Sequence, residues 1–313
     1  MKQEKSANGA KNEKIIRWYH KKNANIWHIP YIAHIIHSKR RQKMKIGNKN
    51  FETDKHTYIM GILNVTPDSF SDGGKFNEMD AALVHTQRMI EDGADIIDIG
   101  GESTRPGYIQ ITEEEEIERT APIIEKIKST FDIPVSIDTY KAKVAQATVE
   151  AGADLVNDIW GLKYDEKIAE VIAASNVACC LMHNRDNHDY QNYMAEVKQD
   201  LQETIALAKK AGIADEKIML DPGVGFGKTY ENNLEIIYKM EELEELGYPL
   251  LLGTSRKSVI GLTLDLPVTE RVEGTLVTTV LAVMKHYSFV RVHDVKENKR
   301  AIQMAEAIRE GWK

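Results

Sequence analysis

The chain has 313 residues, 42% of them hydrophobic, and a formal net charge of −7. That is enough apolar material for one large core, and no run of eighteen apolar residues marks a membrane span. The acidic balance gives no global signal for nucleic-acid binding, and Cys179 and Cys180, adjacent in an apolar run, match no zinc or redox spacing. They read as small core residues, and the lack of a disulfide framework predicts a reducing, cytoplasmic setting.

The charge is uneven along the chain. Residues 1–43 carry eleven Lys or Arg against Glu4 and Glu13, so this stretch is +9 and the remainder −16. It also holds four of the ten histidines and lacks the apolar core of a secretory signal. A basic arm for nucleic acid or acidic lipid is one reading. The plainer one is an appendage, or a stretch upstream of a start at Met44, and it is set outside the domain. Residues 44–313 then form the predicted catalytic domain. Within it, 44–57, around Ile46-Gly47-Asn48, predicts a short hairpin closing the bottom of a barrel.

From Tyr58 onward short apolar runs alternate with amphipathic stretches. The runs are 58–63, 95–99, 134–137, 155–157, 177–182, 217–220, 249–252 and 289–292. Each is near-continuously apolar, as strands covered on both faces require. The helical patterns between them are 79–92, 113–130, 141–150, 165–174, 193–211, 234–245, 270–285 and 296–310. Thr112 with Glu115 has capping-box spacing, and Gly93, Gly152, Gly212 and Gly247 stand where left-handed helix caps are wanted. Eight strands alternating with eight helices predict a single-domain α/β fold, the (β/α)8 TIM barrel. A doubly wound open sheet is the rival.

The C-terminal end of each strand is more informative. In chain order these ends carry Asn64, Asp98 with Gly100-Gly101, Asp138, Asn157-Asp158, His183-Asn184, Asp221, Thr254-Ser255-Arg256-Lys257, and Arg291 with His293. Any one could cap a helix or satisfy a turn. Eight in register are hard to explain so, and in a barrel these ends converge on one face.

Two connections are longer than a barrel needs. Asn64-Val65-Thr66-Pro67-Asp68-Ser69-Phe70-Ser71-Asp72-Gly73-Gly74 is polar, and Gly100-Gly101-Glu102-Ser103-Thr104-Arg105-Pro106-Gly107 adds a cation. Both are expected to cover a charged ligand and exclude water. The run Asp221-Pro222-Gly223-Val224-Gly225-Phe226-Gly227-Lys228-Thr229 ends like a phosphate-binding Walker loop, but Pro222 occupies the first glycine position. Lys228 likewise breaks the dinucleotide pattern, so nucleotide hydrolysis and hydride transfer are both disfavoured. Arg256, Lys257, Arg291 and His293 come after the last two strands, where barrels of this kind hold anions. Asp138 and Asp221, with Asn157 between them in sequence, suit the amino-pyrimidine edge of a heterocycle. Metal binding competes for those three, whereas His183 and His188 lack metal spacing and no Ser-His-Asp arrangement is visible.

From Met44 to the C-terminus the sequence resembles the dihydropteroate synthase family. The two long connections carry most of the likeness, joined by Ser136-Ile137-Asp138-Thr139, Asn157-Asp158, the glycine run from Asp221, Ser255-Arg256-Lys257-Ser258 and Arg291-Val292-His293-Asp294. The resemblance implies a TIM barrel that joins 6-hydroxymethyl-7,8-dihydropterin diphosphate to 4-aminobenzoate. It implies that Asp138, Asn157, Asp221 and Lys257 hold the pterin, with Arg291 on the ring and Met182 and Phe226 as apolar walls. Asn64, Arg105, Arg291 and His293 would hold the diphosphate, with Mg²⁺ near Asn64 and Asp72. Phe70, Thr104, Pro106, Lys257 and Ser258 would hold 4-aminobenzoate, at the expected sulfonamide site. A homodimer through a late helix such as 270–285 is implied as well.

Chemically, Asp138, Lys257, Arg291, Arg105 and Asp72 would carry the reaction. Diphosphate leaves well once cations neutralise it, and an arylamine attacks the pterin-methyl cation without a protein nucleophile. A pterin-binding methyltransferase is the enzymatic rival, though it needs no diphosphate or arylamine site. An inert binding paralogue is the other, and would be expected to lack Asn64, Arg105, Asp138, Lys257 or Arg291.

Overall fold

A computed structural model describes residues 43–65, 74–102 and 110–311. Two short strands, β1 (Lys43–Ile46) and β2 (Lys49–Glu52), pair antiparallel. Eight parallel strands come next: β3 (Tyr58–Asn64), β4 (Ile96–Gly100), β5 (Val135–Asp138), β6 (Leu155–Asp158), β7 (Ala178–Met182), β8 (Ile218–Asp221), β9 (Leu251–Leu252) and β10 (Phe289–Val292). Their order in the sheet is β8-β7-β6-β5-β4-β3-β10-β9. A parallel bridge between Leu220 and Leu250, with Leu220 N donating to Pro249 O at 2.9 Å, brings the two outermost strands together. The sheet is therefore a barrel, and the open-sheet alternative falls away.

Helices α1 (Gly74–Asp92), α2 (Glu113–Thr130), α3 (Ala142–Glu150), α4 (Ile168–Ser175) and α5 (Tyr193–Lys210) lie between the strands. After them come α6 (Tyr230–Tyr238), α7 (Ser258–Leu264), α8 (Val272–Met284) and α9 (Val295–Gly311). Among the described residues no helix is long and apolar enough to cross a membrane. Gly93, Gly152, Gly212 and Gly247 all take positive φ, from 79° to 111°, at helix ends, as their sequence positions predict. Thr112 accepts from Glu115 N at 3.1 Å, but the Glu115 carboxylate pairs with Arg119 instead of completing the box.

Two differences from the sequence pattern have clear causes. The stretch 234–245 is two pieces, because Thr229 and Asn232 cap each other's backbone and start α6 early. The acidic run after it, Met240–Leu246, winds as a 3-10 turn. Helix α7 has no counterpart among the predicted helices, being short and interrupted by Gly261. That glycine is a packing requirement: a Cβ there would lie 2.2 Å from the Arg271 guanidinium, which donates to Leu266 O and Arg256 O at 3.0 Å.

Strand alternation divides the core in two. Ile59, Ile97, Val135, Val156, Leu181 and Val290 face outward into the layer between sheet and helices. Met60, Ile96, Leu155, Cys180, Met219 and Phe289 face inward and pack with Met44, Ile46 and Phe51 of the hairpin. The hairpin thus plugs the barrel floor, with Phe51 edge-on to Tyr58 at 4.8 Å and 5.6 Å from Phe289. Truncating this plug opens a cavity under the barrel. Phe51→Ala should cost about 3–5 kcal/mol, measured as a lower urea midpoint at unchanged slope. A loss below about 1 kcal/mol would mean the hairpin is not part of the cooperative core.

Candidate active site

The same alternation that builds the floor from apolar side chains puts polar ones at the other end. Asn64, Gly100, Asp138 and Asn157 are successive register partners across β3 to β6, and Met182 pairs with Asp221 across β7 and β8. Glycine keeps the space between them open: a Cβ on Gly100 would lie 3.5 Å from Asn64 Oδ1 and 4.0 Å from Asp138 Oδ2. Asn157 faces this mouth, while Asp158 turns away and accepts from Trp160 N and Leu162 N at 2.8 and 2.7 Å. The pair that looks equivalent in sequence is split into a mouth residue and a turn-maker.

Arg291 organises the centre. Its Nε donates to Asp98 Oδ2 and its Nη2 to Asp138 Oδ2, both at 2.6 Å. The other oxygen of each carboxylate is buried without a hydrogen-bond partner among the described residues. Burial pushes the Asp138 carboxyl up to about 7, against the pull of the Arg291 guanidinium. Asp98 is fully buried, and in sequence it is only a strand-end polar group without a role. A signal for it does exist: one carboxylate in the run Ile96-Ile97-Asp98-Ile99 faces inward by alternation.

Across the mouth Asp221 Oδ1 accepts from Gly223 N at 2.6 Å, and a Cβ on Gly253 would come 3.3 Å from Asp221 Oδ2 and 3.9 Å from Arg291 Cβ. Lys257 donates to Val224 O at 2.5 Å and lies 4.6 Å from the Phe226 ring centroid. Burial lowers its ammonium to about 8, opposed by the Asp221 carboxylate. Phe226 and Met182 belong to a small apolar cluster with Tyr140, Ile159 and Trp160. Asp138, Asp221, Lys257 and Arg291 are therefore gathered, with an apolar wall beside them.

The late cations are not equivalent. Arg256 is tied to Asp294 through two hydrogen bonds of 3.0 and 2.5 Å. His293 lies 3.0 Å from Ser255 Oγ through Nδ1, and Ser258 is exposed at the start of α7. Phe70, Asp72, Thr104, Arg105 and Pro106 lie outside the described residues. Among the described residues no group of three or more His, Cys, Asp or Glu is arranged to hold a metal. His183 is buried between Lys228 and Asp200, and His188 is exposed.

Sequence reasoning missed one buried charge network. Lys141 Nζ donates to Glu102 Oε2 at 2.8 Å, Glu116 Oε2 at 2.7 Å and Ile111 O at 2.9 Å. Tyr140 OH donates to Glu102 Oε1 at 2.5 Å, and Ile111 N donates to Glu102 Oε2 at 2.8 Å. One ammonium thus fastens Glu102 and Ile111 to each other and to the strand end that carries Asp138. No spacing rule finds it, because the partners are 25 to 39 residues apart.

Barrel, mouth and comparisons agree on the class: the family model described as pterin binding enzyme matches residues 60–293. A dihydropteroate synthase of Clostridium beijerinckii is 64% identical over 85% of this chain and 99% of its own length. That of Bacillus subtilis is 52% identical over 80% of this chain and 88% of its own. Among solved structures, the Clostridium difficile dihydropteroate synthase in the presence of pteroic acid superposes with a TM-score of 0.81 at 52% identity, covering 82% of this chain and 98% of that one. The Xanthomonas albilineans dihydropteroate synthase with 4-aminobenzoic acid gives 0.82 at 38% identity, covering 86% and 99%. The chain belongs to the dihydropteroate synthase family.

The buried network makes a stability prediction. Lys141→Met would leave Glu102 and Glu116 buried side by side without their counter-charge. The expected loss is about 3–5 kcal/mol in urea unfolding at neutral pH. Burial already raises the Glu116 carboxyl, so the loss should shrink as pH falls and that carboxylate takes up a proton.

Proposed function

We propose that this chain condenses 6-hydroxymethyl-7,8-dihydropterin diphosphate with 4-aminobenzoate, giving 7,8-dihydropteroate and diphosphate in folate biosynthesis. The observation that carries the reading is the mouth itself: acidic and amide acceptors on one side, Arg291 at the centre, Lys257 beside an aromatic wall. One buried oxygen each of Asp98 and Asp138 lacks a partner among the described residues, which leaves unmet acceptor capacity beside Arg291. A pterin offers ring N–H and amino groups as donors, so Asp138, Asn157 and Asp221 read its edge. Met182 and Phe226 pack its ring and Lys257 approaches it from the glycine-run side. The relatives solved with pteroic acid and with 4-aminobenzoic acid support both halves of the substrate pair.

In the reaction the bond between the pterin methylene and its oxygen breaks, and diphosphate leaves with the electron pair. Arg291, His293, Arg105 and Asn64 meet the growing negative charge. Asp138 offsets the positive charge left on the pterin. The nitrogen of 4-aminobenzoate, held by Phe70, Thr104, Pro106, Lys257 and Ser258, attacks the methylene and then gives its proton to the released diphosphate. Sulfonamides would occupy that arylamine position. The amide oxygen of Asn64 is a hard donor of the kind Mg²⁺ prefers, and with Asp72 it would hold the ion. Bound Mg²⁺ would supply Lewis-acid neutralisation of the diphosphate. A cytoplasmic setting is supported by two buried cysteines that remain free thiols.

The rivals are separated by one assay. Purified protein with pterin diphosphate, Mg²⁺ and 4-aminobenzoate should yield dihydropteroate, and Asp138→Asn should lower kcat/KM about 10²–10³-fold. Binding without product would leave an inert paralogue, and methyl transfer from a folate would make it a methyltransferase.

A homodimer is supported by an apolar surface on the two last helices. Val277, Leu281 and Met284 of α8 and Met304 and Ile308 of α9 are exposed, up to 62% of their surface. Light scattering should give twice the chain mass, and Val277→Lys should shift it towards one. A wild-type monomer at micromolar concentration would refute the dimer.

A further inference from the structure

The run that ends like a Walker loop leaves one residue without a job. Lys228 stands where such a loop would aim a lysine at phosphate, yet its side chain turns inward and the residue is 7% exposed. Its Nζ lies 2.8 Å from His183 Nδ1 and 2.9 Å from Phe226 O. His183 Nε2 in turn lies 3.0 Å from Asp200 Oδ2, which also accepts from Arg185 Nε at 2.6 Å. Burial holds the His183 imidazole down to about 4, so it is neutral. The hydrogen bonds then run one way: Lys228 donates to His183 Nδ1, and His183 Nε2–H donates to Asp200.

This chain of bonds stands behind the turn that lines the mouth. Gly223 and Gly227 have φ of +70° and +53°. A Cβ on Gly223 would meet His183 O at 1.9 Å and Lys228 Nζ at 3.2 Å; one on Gly227 would meet Arg185 O at 2.5 Å. The turn is thus pressed onto 183–185, with Lys228 fastened beneath it and Lys257 above it through Val224 O. Asp221 opens the run, and Lys228 is one of the positive charges acting on its buried carboxyl.

We propose that Lys228 is a positioning residue for pterin binding, fixing the 223–227 turn through Phe226 and His183 and serving as the rear counter-charge that keeps Asp221 an acceptor. The inference rests on the pterin-binding reading of the mouth. Asp221 faces Lys257, Lys228, Arg291, Gly223 N–H, the Cys180 thiol and the Tyr287 hydroxyl; Lys228 faces Asp221, His183, Asp200, Arg185 and Lys257. Burial raises the Asp221 carboxyl and Lys228 lowers it, so removing that charge raises it further. Pterin binding then fails at a higher pH as acid is added.

The test measures the Kd for pterin diphosphate without 4-aminobenzoate across pH 5–9, in wild type, Lys228→Met and Lys228→Arg. Lys228→Met should bind about tenfold more weakly at neutral pH, with its acid limb moved to higher pH. Lys228→Arg should keep the limb, and the KM for 4-aminobenzoate should stay within about twofold in both variants. Burial lowers Lys228 itself to about 7, so it carries its charge on the acid side, where the limb lies; Asp138 and Lys257 titrate in the same range but are common to all three proteins, so the difference on that side isolates Lys228. An unmoved limb in Lys228→Met, or an arylamine KM rising in step with the pterin Kd, overturns the proposal. Should Lys228→Met fail to fold, ¹⁵N shifts of the wild-type histidines decide: a His183 imidazolium or Nδ1–H tautomer at pH 7 overturns it equally. A wild type that binds no pterin diphosphate sinks the reading of function instead, and the histidine tautomer still tests the relay.

Discussion

Two buried carboxylates and one guanidinium set the terms for the rest of the molecule. Arg291 is held between Asp98 and Asp138, side chains from strands far apart in sequence that only a closed barrel brings within one residue's reach. Burying such charges costs several kcal/mol each unless they are paired. Here the geometry leaves the pairing incomplete, since each carboxylate keeps one oxygen without a partner among the described residues. The barrel supplies the stability that lets this arrangement persist.

A second tier of charges holds the first in place without touching the mouth. Lys141 gathers Glu102 and Glu116, and Lys228 hangs the glycine turn on His183 and, through it, Asp200. Both are lysines at strand-to-helix junctions, one shortly after Asp138 and the other shortly after Asp221. Asp138 and Asp221 therefore each have a buried lysine a few residues downstream, tying the strand end to the preceding connection. Rigid support of this kind is how a site on loops keeps sub-ångström geometry.

Much of this is legible in the sequence, for physical reasons. Strands covered on both faces are apolar throughout, so the eight runs stand out, and a polar residue ending each can only be a tip. Asn64, Asp138, Asn157, Met182, Asp221, Phe226, Lys257 and Arg291 are found that way or through the family likeness. Asp98 is visible but without a role, because one carboxylate inside a strand says nothing of its partner until the barrel closes. Lys141 and Lys228 escape because their partners come from other connections, and a lysine near a glycine run looks like a phosphate ligand whichever way it points. Helix α7 escapes for a related reason. Gly261 lowers helix propensity, and the Arg271 side chain that makes it necessary arrives from ten residues later.

The plug of Met44, Ile46 and Phe51 has one more implication. With its floor sealed, the barrel is a blind alley, and everything that enters must leave by the same door. Below the strand tips Met60, Ile96, Leu155 and Phe289 fill the interior, so no path runs through the barrel and the ring of strand tips is its one entrance.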